Sequence, residues 1–166
     1  YQFDKVHTQV HASVLHMGLS NSTARFQVKD GSIHFDAADW SSAKVDVTLD
    51  VAGISLGNDT WQEHVSAEKW FNVAAFPDAR FVSTKVAKTG DKTLAIDGNL
   101  TLKGVTLPVS LQATLNQAGP HPFSKKPALG ISATGTIKRS AFGISEYLGG
   151  ISDDVQIRIE IEASAG

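Results

Sequence analysis

The chain has 166 residues, 42% of them hydrophobic, which suffices for one core and fits one domain over residues 1–166. A formal charge of −2 with scattered basic residues offers no concentrated positive field for a phosphate backbone, so nucleic acid is excluded as an expected partner. The absence of cysteine removes disulfides, thiolate zinc sites and cysteine nucleophiles, and the longest apolar runs fall far short of the ~20 residues that span a bilayer.

From the N-terminus, Tyr1 to His16 alternate weakly and predict a strand. These residues form no apolar signal core, so the chain is expected to be mature if it is exported. Ala24 to Lys29 and Ser32 to Asp36 predict two more strands, with Asp30-Gly31 supplying the positive φ angles of a two-residue hairpin between them. Val45, Val47, Leu49 and Val51 then alternate with polar residues, giving one apolar and one wet face. The pattern breaks at Thr60-Trp61-Gln62-Glu63, which has capping-box spacing and predicts a short helix of one to three turns, in a stretch that tolerates helix up to Phe71. Phe76-Pro77 forces an extended backbone and returns the chain to the sheet at Phe81. Strands follow at Arg80 to Ala87, Leu94 to Leu102, Val109 to Asn116 and Ala128 to Arg139, with turns at Thr89-Gly90-Asp91 and Gly119-Pro120. In the last strand Val155, Ile157, Ile159 and Ile161 interleave with Gln156, Arg158, Glu160 and Glu162.

One-sided alternation marks antiparallel sheet, because strands buried on both faces lose their polar residues. Eight or so such strands with short turns make a barrel or a sandwich. The small residues Ala12, Gly98, Ala113, Ala133 and Gly135 sit on the apolar rows, where they leave either volume for a ligand or room for neighbouring aromatics.

The chemistry-bearing clusters are thin. His7 and His11 lie roughly 13 Å apart along a strand and His16 faces away from His11, so the three do not share one ion and no metal is expected. No G-x-S-x-G, zincin or phosphate-loop motif is present. Asp59, Glu63 and Glu68 read as the solvated face and cap of the helix. Two residues disobey the alternation: His16 ends the apolar row of Val10, Ala12 and Val14, and Arg139 ends that of Ile131, Ala133, Gly135 and Ile137. A titratable or charged group closing an inward row suits a cavity mouth that meets a polar head group. The competing reading ties Arg139 to a local carboxylate and His16 to backbone. Phe26, Phe35, Trp70, Phe71, Phe81 and Phe142 are the candidate wall or lid residues, within a wider aromatic set that includes Trp61 and Phe76.

The order of several segments resembles the YceI-like family of polyisoprenoid-binding proteins. Tyr1-Gln-Phe-Asp-Lys-Val-His7-Thr8 is similar to its opening. His64-Val-Ser-Ala-Glu-Lys-Trp-Phe71, then Phe76-Pro77 and Phe81, resemble its central helix and return strand. Gly98-Asn-Leu-Thr-Leu-Lys-Gly104-Val-Thr-Leu-Pro108-Val is its most recognisable stretch, and Ile137-Lys-Arg139-Ser-Ala-Phe142-Gly143-Ile and Asp154-Val-Gln-Ile-Arg-Ile-Glu-Ile complete the match. Val65 stands where the family favours Leu, and Ala141 where an acidic residue commonly follows the Arg-Ser pair. The resemblance implies an antiparallel lipocalin-like barrel of about eight strands with one short helix, periplasmic or secreted, holding an isoprenoid or similar amphiphile in its lumen.

The leading expectation is therefore non-enzymatic binding, storage or transport of a long-chain lipid, a quinone or polyprenyl phosphate being favoured, with no cofactor beyond the lipid itself. His16 and Arg139 are the expected head-group contacts. A homodimer is allowed but nothing in the sequence fixes it. Two alternatives stand beside this: an enzyme on a lipid-linked substrate with His16 as general base, and a fully packed adhesion or assembly module.

Overall fold

In a computed structural model that describes all 166 residues, Tyr1–Gly166, the alternating segments close into an antiparallel barrel. Its strands are β1 (Gln2–Phe3), β2 (Gln9–His16), β3 (Ser20–Asp36), β4 (Asp39–Ser55), β5 (Asp78–Lys88), β6 (Thr93–Leu102), β7 (Val105–Pro120), β8 (Pro127–Lys138) and β9 (Asp154–Ser164). One helix, α1 (Asp59–Ser66), lies between β4 and β5, and a 3-10 turn at Arg139–Phe142 follows β8. The sheet runs β3-β2-β9-β8-β7-β6-β5-β4 and closes on itself through β3 and β4, so no long edge is left unpaired. The short β1 pairs with both β3 and β9, as β2 does, so the two share one lane and the barrel has eight.

Four local predictions need correction, each for an identifiable physical reason. The first strand is interrupted because the Asp4 carboxylate accepts from the amides of Val6 and His7, folding Asp4–Thr8 into a turn. Asp30-Gly31 is no hairpin: β3 runs straight through it, and the chain reverses at Ala37-Ala38 between paired Asp36 and Asp39. Gly31, at φ 143°, is needed for another purpose, since a Cβ there would strike the Asp46 carbonyl and sit 2.8 Å from Val47 Cα. The helix is capped by Asn58, whose side chain accepts from the Trp61 amide at 3.0 Å, rather than by Thr60. Its start therefore falls before Thr60, which lies inside the first turn. Finally, β7 continues through Pro120, and the turn occupies His121–Lys126, where His121 Nδ1 accepts from the amides of Phe123 and Ser124.

The apolar faces converge inside, but they do not fill the barrel evenly. One buried cluster, built on Ile33, Leu94, Leu111, Leu115, Leu129 and Ala163, packs one end. A second, built on Val10, Phe26, Val51, Ile54, Val65, Trp70 and Ile144, lies beneath α1 at the other.

Candidate functional site: an apolar cavity with one open end

A cavity of about 410 Å³ runs through the barrel, drawing its wall from both clusters. Of its 41 lining residues 36 are hydrophobic, and none is a carboxylate. On β3 alone the lining reaches from Ser22 to Ile33, about 36 Å of strand at ~3.3 Å per residue, so the space is long rather than round. The volume lies within the ~300–1,000 Å³ range of small-molecule sites, and its composition matches a site that recognises hydrocarbon.

The small residues explain where that volume comes from. Ala12, Ala24 and Ala133 line the cavity and leave it room. Gly98 and Gly135 do not: a Cβ on Gly98 would overlap the Phe81 ring, and one on Gly135 would lie 2.7 Å from Leu111 Cδ2. Those two glycines are spaces already taken by neighbouring side chains, and they let Phe81 and Leu111 lie flat against the sheet wall.

Six of the eight side chains selected from the sequence line the cavity: His16, Phe26, Trp70, Phe71, Phe81 and Arg139. Phe26 and Phe71 meet edge to face with centroids 5.9 Å apart. Two selections are corrected. Phe35 packs beside Trp40 at 5.7 Å against the closed-end cluster, because β3 carries it past the end of the cavity. Phe142 is 2% exposed and lies outside the lining, since the 3-10 turn swings it off the inward row of β8.

Arg139 reaches the cavity wall, yet its donors are engaged elsewhere. Nε donates to the Ser152 carbonyl at 2.9 Å, Nη1 to Ile144 at 2.9 Å and Nη2 to Ile151 at 2.8 Å. The side chain is 4% exposed and its guanidinium lies 5.5 Å from the Trp70 ring centroid. Burial pushes the guanidinium below its ordinary value, while the charge of Asp153 acts in the opposite direction. Asp153 also accepts from the amide and hydroxyl of Ser140, and these two bonds hold its carboxyl below the usual range, with Lys138 and Arg139 adding to the effect. The charge of Asp153 acts on Arg139 from across the loop, but its hydrogen bonds go to Ser140 and no ion pair joins it to the guanidinium. Arg139 is a clamp on the Ile144–Ser152 loop before it is a head-group contact.

The open end is framed by residues the sequence reading passed over. Met17, His64 and Tyr147 line the mouth, together with Trp61 from the wider aromatic set. Met17 sits in the β2–β3 turn at φ 52°, with Gly18 at 69°, a pair of positive angles that suits a tight hairpin. Tyr147 stacks on Trp70 at 6.5 Å, and His64 lies 5.8 Å from the same ring. Turn and loop residues carry no periodic signal, which is why the alternation did not select them. The other histidines lie apart: His11 meets Gln9 at 3.1 Å, and His7 is bonded through Nδ1 to Asp4 at 2.8 Å, which raises its pKa. Asp4, His7 and Glu162 bring donor atoms within 4.8 Å of one another on the surface.

A closed eight-stranded antiparallel barrel around one long apolar cavity, open at a mouth beside a short helix, defines the class: a calyx-type β-barrel. The YceI-like domain family model matches residues 1–163, and the chain belongs to that family. Protein YceI of Salmonella arizonae is 39% identical over 164 residues, covering 98% of this chain and 85% of that protein. The crystal structure of Burkholderia cenocepacia BcnA superposes with a TM-score of 0.87 at 26% identity, over 98% of this chain and 99% of that one. A polyisoprenoid binding domain from Saccharophagus degradans, implicated in plant cell wall breakdown, gives a TM-score of 0.74 over 99% and 98% of the two chains. At 15% identity that likeness is one of fold.

Proposed function

We propose that the protein is a non-enzymatic carrier that holds the tail of one long-chain lipid, isoprenoid by preference, inside the barrel. The observation that supports this most is the elongated cavity itself, almost wholly apolar, with His16, His64, Arg139 and Tyr147 among its few polar lining groups. Membership of the YceI-like family agrees with it, while the S. degradans likeness speaks for the barrel alone.

Burying about ten tail carbons contributes on the order of 8 kcal/mol before association costs are subtracted. Tail burial therefore supplies useful affinity without catalytic groups. At the head-group end His16, His64 and Tyr147 offer ring nitrogens and a hydroxyl, and Arg139 offers only what its three carbonyl bonds leave over. That balance favours an uncharged head such as a quinone over a phosphate. The reading goes with a periplasmic or secreted location, which cell fractionation tests.

Native mass spectrometry of gently purified protein, followed by organic extraction, tests the proposal. One defined lipid at near-unit occupancy, recovered chemically unchanged after prolonged incubation, is the expected result. Protein free of lipid that also takes up none when offered overturns the carrier reading, and turnover of the lipid overturns its non-enzymatic part.

A further inference from the structure

The exposed large apolar side chains are not spread over the surface. They are Val6, Leu15, Met17, Leu19, Trp61, Phe123, Tyr147 and Leu148, and all but Val6 and Phe123 come from three segments that reach the cavity mouth, Leu15–Leu19, Trp61 and Tyr147–Leu148. Leu19 is 84% exposed, at the tip of the β2–β3 turn. Three of the six, Met17, Trp61 and Tyr147, line the cavity as well, so the outer patch and the inner wall are one continuous apolar surface. Its pieces are tied together. The Met17 amide donates to the Gly150 carbonyl at 2.6 Å, the Ser152 amide donates to the Leu15 carbonyl at 3.0 Å, and Tyr147 stacks on Trp70. Arg139 holds the same loop from inside.

We propose that this rim docks on the surface of an electrically neutral, zwitterionic lipid bilayer, so that lipid passes between membrane and cavity without crossing water. This rests on the carrier reading above. Three observations select the occupant. The rim is continuous with a hydrocarbon-lined cavity, and each methylene that must cross water slows escape about fourfold. The rim carries Trp and Tyr, whose apolar bodies and polar tips suit the boundary between head groups and chains. The Leu15–Thr23 turn segment has no Lys, Arg, Asp or Glu, and the ionisable groups nearest in sequence to Trp61 and Tyr147 are Asp59, Glu63 and Glu146. Lys69 stands beside Trp70 and Lys103 donates to the Gly143 carbonyl at this end of the barrel, but with the turn free of Lys and Arg and acidic groups next to Trp61 and Tyr147, anionic head groups gain little. No helix is long and apolar enough to cross a membrane.

The test compares the intact protein with a Leu19→Glu/Leu148→Glu variant, neither position lining the cavity. Two rates are read with a fluorescent isoprenoid alcohol: its transfer between phosphatidylcholine vesicles, and its uptake from cyclodextrin. The expected result is flotation of the intact protein with phosphatidylcholine vesicles, insensitive to salt, and vesicle transfer slowed about tenfold or more in the variant with cyclodextrin uptake unchanged. Equal vesicle transfer by both proteins overturns the docking proposal while leaving the carrier reading intact. Flotation that requires anionic lipid overturns it too, as does a dimer in light scattering that the variant abolishes, which would assign the rim to a second copy. Absence of uptake from cyclodextrin by the intact protein sinks the carrier reading, and docking falls with it.

Discussion

Replacing Arg139 by Met keeps most of the side-chain volume and removes every donor. Three bonds from a charged guanidinium to carbonyls contribute about 1.5 to 3 kcal/mol each, which brackets the loss between roughly 4 and 9 kcal/mol. The freed carbonyls of Ser152 and Ile151 belong to a half-buried loop and regain water once it loosens, so the lower figure, about 4 kcal/mol, is the expected cost. Against a typical total of about 5 to 15 kcal/mol this is severe, and at about 2 to 4 °C per kcal/mol it lowers the melting temperature by roughly 8 to 16 °C. Arg139→Lys rescues only part of it, because one ammonium cannot satisfy three carbonyls set around a planar fork. Urea unfolding followed by tryptophan fluorescence measures the cost. Alongside it, the lysine variant is expected to bind a polyprenyl phosphate and its dephosphorylated form with equal losses. A stability change below about 1 kcal/mol with selective loss of the phosphorylated ligand would refute the clamp and restore Arg139 as a head-group contact.

Filling the lumen should separate folding from binding: Ala12→Trp, set between Ala24 and Ile157 on the inward row, is expected to keep the protein folded and to abolish lipid co-purification in native mass spectra. Asn58→Ala should cost about 1 kcal/mol in denaturant titrations while Thr60→Ala stays within about 0.5 kcal/mol, the reverse of the order the capping-box reading implies. Gly98→Val should destabilise by about 1–3 kcal/mol because its side chain meets the Phe81 ring, and Phe81→Ala should recover part of that loss if the clash is the cause. His7 is raised above the ordinary imidazole value by its bond to Asp4, so its contribution to stability is complete below about pH 6.5 and is lost as pH rises through the higher folded value. Asp4, held low by the same bond, contributes above its unfolded value and loses that contribution as pH falls through the lowered one. Asp4→Asn should return the His7 titration, followed by NMR, toward its usual position.

The barrel was legible in the sequence wherever one face is wet and the other apolar: Val45–Val51 of β4, Ile96–Leu102 of β6 and Val155–Ile161 of β9 alternate, and their apolar side chains line the cavity as expected. Misreadings fall where one residue type serves two purposes. Glycine after aspartate signals a hairpin, but Gly31 answers the close approach of β4, an interaction with a strand more than a dozen residues away. Asn58 and Thr60 both cap well, and the choice between them depends on where the chain leaves β4. The inner half of the site was readable because His16 and Arg139 break apolar rows. The outer half was not, because Met17 and Tyr147 lie in a turn and a loop whose positions are set by tertiary hydrogen bonds. Even Arg139, singled out correctly as unusual, has a role that depends on three carbonyls from a loop that sequence spacing does not locate.

The decisive measurement places a tail inside the barrel. With the alanine methyls labelled with carbon-13 and geranylgeraniol unlabelled, isotope-filtered NMR should show cross-peaks from the bound chain to Ala12, Ala24 and Ala133, which lie on neighbouring rungs around one level of the inner wall. Cross-peaks confined to surface alanines at saturating ligand, with those three methyls unaffected, would contradict the carrier account.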